Sequence, residues 1–166
     1  SVGKLDAEGT QDSNLDSIKK LLIDPKLVLP IDSLVVPATS IGALNTKMGA
    51  RVATAGQVRS DEVILDHGPG TSALLANLAA KAKNILWNGP LGNYEHGFVD
   101  ATDAFARSVA DSDAHSVVGG GDTIAAIENL GLLPHFSFVS TGGGAMLDLL
   151  AKGTLPGIEA LDKIHN

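Results

Sequence analysis

Ser116-Val117-Val118-Gly119-Gly120-Gly121-Asp122-Thr123-Ile124-Ala125-Ala126-Ile127-Glu128-Asn129-Leu130 is the stretch that decides the fold class. A short β-branched run stops at three glycines, and a helical pattern starts at once, predicting a strand over 116–118 and a helix over 123–130. Glycine lets the backbone come close to a ligand. A helix start adds unpaired N–H groups with the macrodipole behind them, a setting that favours an anion. Asp122 and Thr123 place a carboxylate and a hydroxyl beside these amides, a set suited to phosphate oxygens and Mg²⁺. Asp122 also suits a plain helix N-cap, and the two roles are compatible.

The same strand-glycine-helix passage recurs at Asp66-His67-Gly68-Pro69-Gly70-Thr71, at Asn88-Gly89-Pro90-Leu91-Gly92 and at Ser140-Thr141-Gly142-Gly143-Gly144. Strands are predicted over 63–66, 85–87 and 137–139, and helices over 72–83, 100–110 and 145–152. Earlier in the chain the pattern gives a helix over 14–23, capped by Asp12 or Ser13. A strand over 27–36, bent at Pro30, follows it. An irregular connection over 37–56 holds a short strand at 51–53. Short, continuously apolar strands are those of a parallel sheet covered by helices on both faces. The expected fold is therefore α/β, a Rossmann-like three-layer sandwich with a mainly parallel sheet. All four glycine turns are expected at one sheet edge, around one phosphate site.

The bulk numbers agree with this reading. With 166 residues, 44% apolar and 19% charged, the chain fits one soluble domain or a piece of one. The absence of cysteine excludes a disulfide framework, thiolate zinc sites and cysteine nucleophiles. A formal charge of −7, with 12 scattered Lys and Arg, argues against a nucleic-acid binder. No apolar run approaches the roughly 20 residues of a membrane span, and residues 1–6 lack signal-peptide character, so a cytoplasmic protein is expected.

Several motifs have competing readings. Gly68-Pro69-Gly70-Thr71-Ser72-Ala73 matches the dinucleotide fingerprint formally, but position 88 is Asn where an acid is wanted, and Pro69 removes an N–H from the cradle. No G-x-x-x-x-G-K-[ST] loop is present. Asn88 is placed to touch phosphate and Glu95 to accept hydrogen bonds from a ribose, although Glu95 alone also reads as a surface-loop residue. Gly142, Gly143 and Gly144 repeat the open-amide arrangement, against the alternative of close helix-to-strand packing. The histidines show no metal-ligand spacing and no Ser/His/Asp grouping; of them only His67 lies near the expected site. Asp32, a carboxylate at a bend, reads as structural.

The run Trp87-Asn88-Gly89-Pro90-Leu91-Gly92-Asn93-Tyr94-Glu95, followed by Gly119 to Thr123 and Ser140 to Ala145, resembles phosphoglycerate kinase in wording, order and spacing. Leu29-Pro30-Ile31-Asp32, Ile64-Leu65-Asp66-His67-Gly68-Pro69 and Leu155-Pro156-Gly157-Ile158-Glu159-Ala160-Leu161 also fall where that family has similar segments. The resemblance runs from about Leu27 onward. It implies reversible phosphoryl transfer between 1,3-bisphosphoglycerate and ADP, giving 3-phosphoglycerate and ATP, with Mg²⁺ and two lobes that close on each other. By resemblance, Leu65 walls the adenine pocket, Glu95 takes the ribose, and Asn88, Gly89, Pro90, Gly92 and Asn93 line the nucleotide cleft. Gly119, Gly120, Gly121, Asp122 and Thr123 hold the phosphates, with Asp122 on the metal side. Gly142, Gly143 and Gly144 present amides to the phosphoryl group in flight.

The departures from that family are equally specific. Residues 1–166 are similar only to part of the C-terminal, nucleotide-binding lobe; the substrate lobe and the opening strand-helix units of the nucleotide lobe have no counterpart. Gly70 stands where a larger residue is usual. The resemblance thus implies a monomeric fragment that does not turn over alone and that carries an uncovered sheet edge. A non-catalytic nucleotide or phosphate-binding module is the main alternative, and half of a nicotinamide-dependent oxidoreductase is a weaker one.

Overall fold

The computed structural model describes residues 12–40 and 49–164, with side chains over 16–40 and 49–161. Part of the irregular connection expected over 37–56 and the candidate caps' side chains at Asp12 and Ser13 lie outside this described set.

Among the described residues six strands form two sheets. Strands β1 (Ser33–Pro37), β2 (Arg51–Ala53) and β3 (Glu62–His67) make an antiparallel sheet in the order β2-β1-β3. Strands β4 (Asn84–Asn88), β5 (His115–Gly119) and β6 (Phe138–Ser140) make a parallel sheet in the order β4-β5-β6. Before, between and after them come helices α1 (Asp12–Leu22), α2 (Pro69–Lys81), α3 (Asp100–Ala110), α4 (Gly121–Asn129), α5 (Gly143–Lys152) and α6 (Pro156–Ile164).

The parallel sheet carries the three layers expected of the α/β class. Its register sets Trp87, Val118 and Val139 in one row and Leu86, Val117 and Phe138 in the next, and adjacent rows point to opposite faces. On the first face Trp87 and Val118 pack with Ala79 of α2, Ala106 and Val109 of α3, Ile127 of α4 and Phe136, forming the main core. Trp87 meets Phe105 edge-on at 5.0 Å between ring centroids, and its indole N–H donates to the Gly89 carbonyl at 2.7 Å, so the ring is buried without an orphaned donor. On the opposite face α5 sets Met146, Leu149 and Leu150 over Leu86, Val117 and Phe138 around an apolar groove of about 460 Å³. Leu86 and Phe138 remain 51% and 58% exposed, so this face is only half covered.

The antiparallel sheet has a small core of Val35, Ala53 and Val58. Arg51 on β2 reaches Glu62 on β3 with two hydrogen bonds of 2.6 and 2.7 Å. These bonds and the Arg59 amide outweigh the effect of burial and hold the Glu62 carboxyl down to about 2.

Two expectations need correction. The run over 63–66 looks like the parallel strands but does not join them: β3 pairs antiparallel with β1, from Ser33↔His67 to Pro37↔Glu62. Its glycine turn is therefore on another sheet. The strand expected over 27–36 is regular only over Ser33–Pro37, because 27–31 is exposed and Pro30 has no N–H for a ladder. Helix α6 is an addition to the predicted elements, with Pro156 at its first position.

Candidate functional site

Three of the four glycine turns meet at one edge. Pairing of Asn88 with Gly119, and of Gly119 with Ser140, ends β4, β5 and β6 side by side. Just past those ends, Asn88 Nδ2–H donates to the Gly143 carbonyl at 3.2 Å, tying β4 to the start of α5. The Gly89 N–H donates to Thr123 Oγ1 at 2.9 Å, tying the same corner to α4. Gly120 begins α4 at φ +92°, and a Cβ there would stand 2.6 Å from Asn88 Oδ1. Only glycine fits. Gly143 backs directly onto the Gly120 amide, and a Cβ on Gly119 would meet Met146 Cε at 2.6 Å. Close packing therefore accounts for Gly119, Gly120 and Gly143.

The remaining glycines face outward. A Cβ on Gly121 or Gly144 would meet nothing within 4 Å, and one on Gly142 only Ala145 at 3.7 Å. The first backbone bonds of α4 and α5 are Ile124 N–H to the Gly120 carbonyl (3.0 Å) and Met146 N–H to the Gly142 carbonyl (2.9 Å). The amides of Gly121, Asp122 and Thr123, and those of Gly143, Gly144 and Ala145, precede these bonds and have no intrahelical acceptor. Two helix dipoles thus point their positive ends at adjacent points of one sheet edge. Asp122 is exposed beside them, whereas Thr123 is fully buried with its oxygen committed to Gly89.

The fourth turn does something else, which corrects the expectation of four converging corners. The Asp32 carboxylate sits in the Gly68-Pro69-Gly70-Thr71 turn. It accepts from Gly70 N–H at 2.9 Å, Thr71 N–H at 2.7 Å and the Thr71 hydroxyl at 2.8 Å. A side chain of the protein itself caps α2, leaving no room for a bound anion; a Cβ on Gly68 would collide with that carboxylate. Burial alone would raise the Asp32 pKa, but the Thr71 and Gly70 hydrogen bonds, with His67 nearby, hold it below the ordinary range. The structural reading of Asp32 is borne out.

From Asn88 the chain runs past half-buried Pro90 to a cavity of about 310 Å³. Leu65, Gly92 and Asn93 line this cavity together, with Pro30, Ile64 and His67 among the other walls. Asn93 N–H donates to the Leu65 carbonyl at 2.8 Å and fixes the loop to β3. Gly92 presses against the Asp66 carboxylate and the Phe98 carbonyl, closer than any Cβ allows. Asp66 is buried, which pushes its carboxyl up, and it accepts from Ala101 N–H at 3.2 Å, capping α3 from a distance. Glu95 is exposed in the 3₁₀ turn Tyr94–His96 that follows. The five residue steps from Asn88 to Asn93 span at most about 18 Å when extended. The amide corner and the cavity therefore lie within reach of one elongated ligand.

Sequence reasoning assigned no role to Asp66 as a remote cap or to His67 as a cavity wall. An acidic residue ending an apolar run, two positions before a glycine turn, is the available signal for the first. For the second, the position of His67 beside a glycine turn places it near the site but does not show which cavity it walls.

A parallel α/β sheet whose strand ends open into unpaired helix amides defines the ligand-binding class of doubly wound folds. The family model described as phosphoglycerate kinase matches residues 1–153. Among curated relatives, the phosphoglycerate kinase of Desulfosudis oleivorans is 40% identical over 139 residues, covering 83% of this chain and 34% of that protein. That of Nitratidesulfovibrio vulgaris is 41% identical over the same coverage. The solved phosphoglycerate kinase of Coxiella burnetii superposes with a TM-score of 0.78 at 37% identity, over 100% of this chain and 42% of that one. The enzyme of Pyrococcus horikoshii gives 0.71 at 30% identity, over 91% and 37%. The chain belongs to the phosphoglycerate kinase family. It spans about a third of the length of the curated relatives it matches.

Proposed function

We propose that this chain is part of the C-terminal, nucleotide-binding lobe of a phosphoglycerate kinase and that its amide corner receives the polyphosphate of Mg-ADP or Mg-ATP. The observation that carries this reading is the meeting of α4 and α5 at Gly120 and Gly143, which gathers two sets of open amides at one point. The cavity at Leu65, Gly92 and Asn93 takes the base, and Glu95 lies beyond it for the ribose hydroxyls.

The donor set fits Mg²⁺ held mainly by the nucleotide. Among the described residues no group of three metal-ligating side chains occurs, and the exposed Asp122 carboxylate is the residue that would hold the ion beside the phosphates. When bound, the ion supplies charge neutralisation of those oxygens.

In the proposed reaction an oxygen of the ADP β-phosphate forms a bond to the phosphorus of the acyl phosphate. The bond from that phosphorus to the carboxyl oxygen breaks, leaving 3-phosphoglycerate and ATP. The contribution of this chain is positional and electrostatic: the Gly143 and Gly144 amides face the charge that builds on the transferring group, and the Gly121 and Asp122 amides hold the phosphates behind it. Residues that bind 1,3-bisphosphoglycerate are supplied by the remainder of a full-length kinase. We assign the complete enzyme to the cytoplasm as a monomer. In this chain no described helix is long and apolar enough to cross a membrane.

Calorimetric titration tests the reading. Mg-ADP is expected to bind and NADH not to, while a coupled assay on the isolated chain gives no turnover. Binding of NADH without Mg-ADP would favour the oxidoreductase alternative, and kinase-like rates from this chain alone would contradict the fragment reading.

A further inference from the structure

Asn88-Gly89 is the only Asn-Gly pair in the sequence. Such a pair is chemically labile, because glycine has no side chain on its Cα to hinder attack by its backbone nitrogen on the neighbouring side-chain amide. We propose that Asn88-Gly89 is a latent deamidation site held shut by Thr123 and Gly143, and that its modification switches off the amide corner.

The reaction joins the Gly89 nitrogen to Asn88 Cγ. The nitrogen loses its proton, the new C–N bond closes a five-membered succinimide, and ammonia leaves with the side-chain nitrogen. Water then opens the ring at either carbonyl, giving aspartate or isoaspartate. No oxidant or other reagent is needed.

Both atoms that must meet are tied to different elements. The Gly89 N–H is held by Thr123 Oγ1 on α4 at 2.9 Å, and Thr123 is fully buried. The Asn88 side-chain nitrogen is held by the Gly143 carbonyl on α5 at 3.2 Å, and its oxygen abuts Gly120. Closure therefore requires both hydrogen bonds to break and the end of β4 to move away from two helices. A local opening is the gate.

The product does not fit the corner it came from. A carboxylate at position 88 faces the Gly143 carbonyl where an N–H donor stood, and two acceptors in contact repel. Isoaspartate also adds a methylene to the backbone between Trp87 and Gly89 and shifts the strand end. The added negative charge lies among the amides of α4 and α5. Loss of phosphate binding, unlike the chemistry itself, rests on the function proposed above.

The test incubates the intact chain at mildly alkaline pH and follows residue 88 by peptide mass spectrometry and isoaspartate labelling. Folded wild type is expected to deamidate many-fold more slowly than the same chain in urea. Thr123→Val, shown folded by circular dichroism, is expected to react at least several-fold faster than wild type, and Thr123→Ser, which keeps the hydroxyl, to stay close to it. Equal rates in folded and unfolded wild type, or a folded T123V no faster than wild type, would overturn the proposal. Should T123V fail to fold, wild type in sub-denaturing urea decides. Deamidation is expected to rise in parallel with hydrogen exchange at the Gly89 amide, and deamidation indifferent to that exchange would count against the gate. Since the readout is mass at one residue, its outcome is independent of whether nucleotide binds.

Discussion

Gly143→Ala is expected to destabilise the protein by about 1–3 kcal/mol, as overpacking does, and to abolish Mg-ADP binding. The new methyl group would fall onto the Gly120 amide and within 2.9 Å of the Gly120 Cα. Both are backbone atoms of a residue already at φ +92°, so no side-chain rotation can relieve the clash. The start of α5 has to move off β5, and the Asn88 bond to the Gly143 carbonyl goes with it. Gly144→Ala is the control. Its Cβ enters open space in the first turn of the same helix, where Ala is favoured over Gly by no more than the about 1 kcal/mol of a helix interior, so stability is expected to hold or rise. Urea midpoints of the two variants check this. A midpoint for G143A equal to that of wild type would show that α5 does not depend on the Gly120 contact.

Asp32→Ala is expected to cost about 2 kcal/mol, the upper end of an N-cap loss, because the Gly70 and Thr71 amides lose their acceptor together, while the Thr71 hydroxyl keeps the Asp32 backbone carbonyl at 2.7 Å. Asp32→Asn keeps one acceptor oxygen and is expected to lose less. The pH dependence has a definite sign. The folded-state pKa of Asp32 lies below its ordinary 3.8, so its contribution is complete above that value and is lost as pH falls through the depressed one. Asp66 and Asp103 act in the opposite sense, since burial raises both, so the stability they forfeit on ionising is regained in acid. The difference between wild type and D32N isolates the first effect. It is expected to shrink as pH drops below the ordinary aspartate range. A gap that stays constant through acid pH would mean that Asp32 does not cap α2 as a carboxylate.

The element types were legible where local pattern and tertiary packing agree. Helix α3 occupies the predicted 100–110 because Ala101, Phe105, Ala106 and Val109 repeat at helical spacing, and all face the interior to some degree. Strand β2 likewise falls at 51–53 as expected. Helix α2 starts at Pro69 rather than at 72, because the cap for its first turn comes from Asp32, nearly 40 positions away in sequence. That kind of partner leaves no local trace. The same reason hid the antiparallel pairing of β3: Val63-Ile64-Leu65 is as apolar as Ile85-Leu86-Trp87, and only β1 decides between the two sheets.

At the candidate site the glycines were legible but their division of labour was not. Gly119-Gly120-Gly121 reads as three equivalent open amides, yet Gly119 abuts the start of α5 at Gly143, Gly120 is fixed by its φ of +92° beside Asn88, and only Gly121 faces open space. Thr123 reads as a phosphate-facing hydroxyl, and its oxygen also accepts from the Gly89 amide in a fully buried position, a partner the pattern does not show. A spacing pattern records which residues occupy a turn. It does not record which strand end lies beside it.

If the amides opening α4 and α5 jointly hold a nucleotide polyphosphate, amide chemical shifts during an Mg-ADP titration register it residue by residue. The largest shifts are expected at Gly121, Asp122, Gly143 and Gly144, saturating together, with Gly70 and Thr71 unmoved behind the Asp32 carboxylate. Shifts confined to Gly70 and Thr71, or none at α4 and α5 at saturating nucleotide, would contradict it.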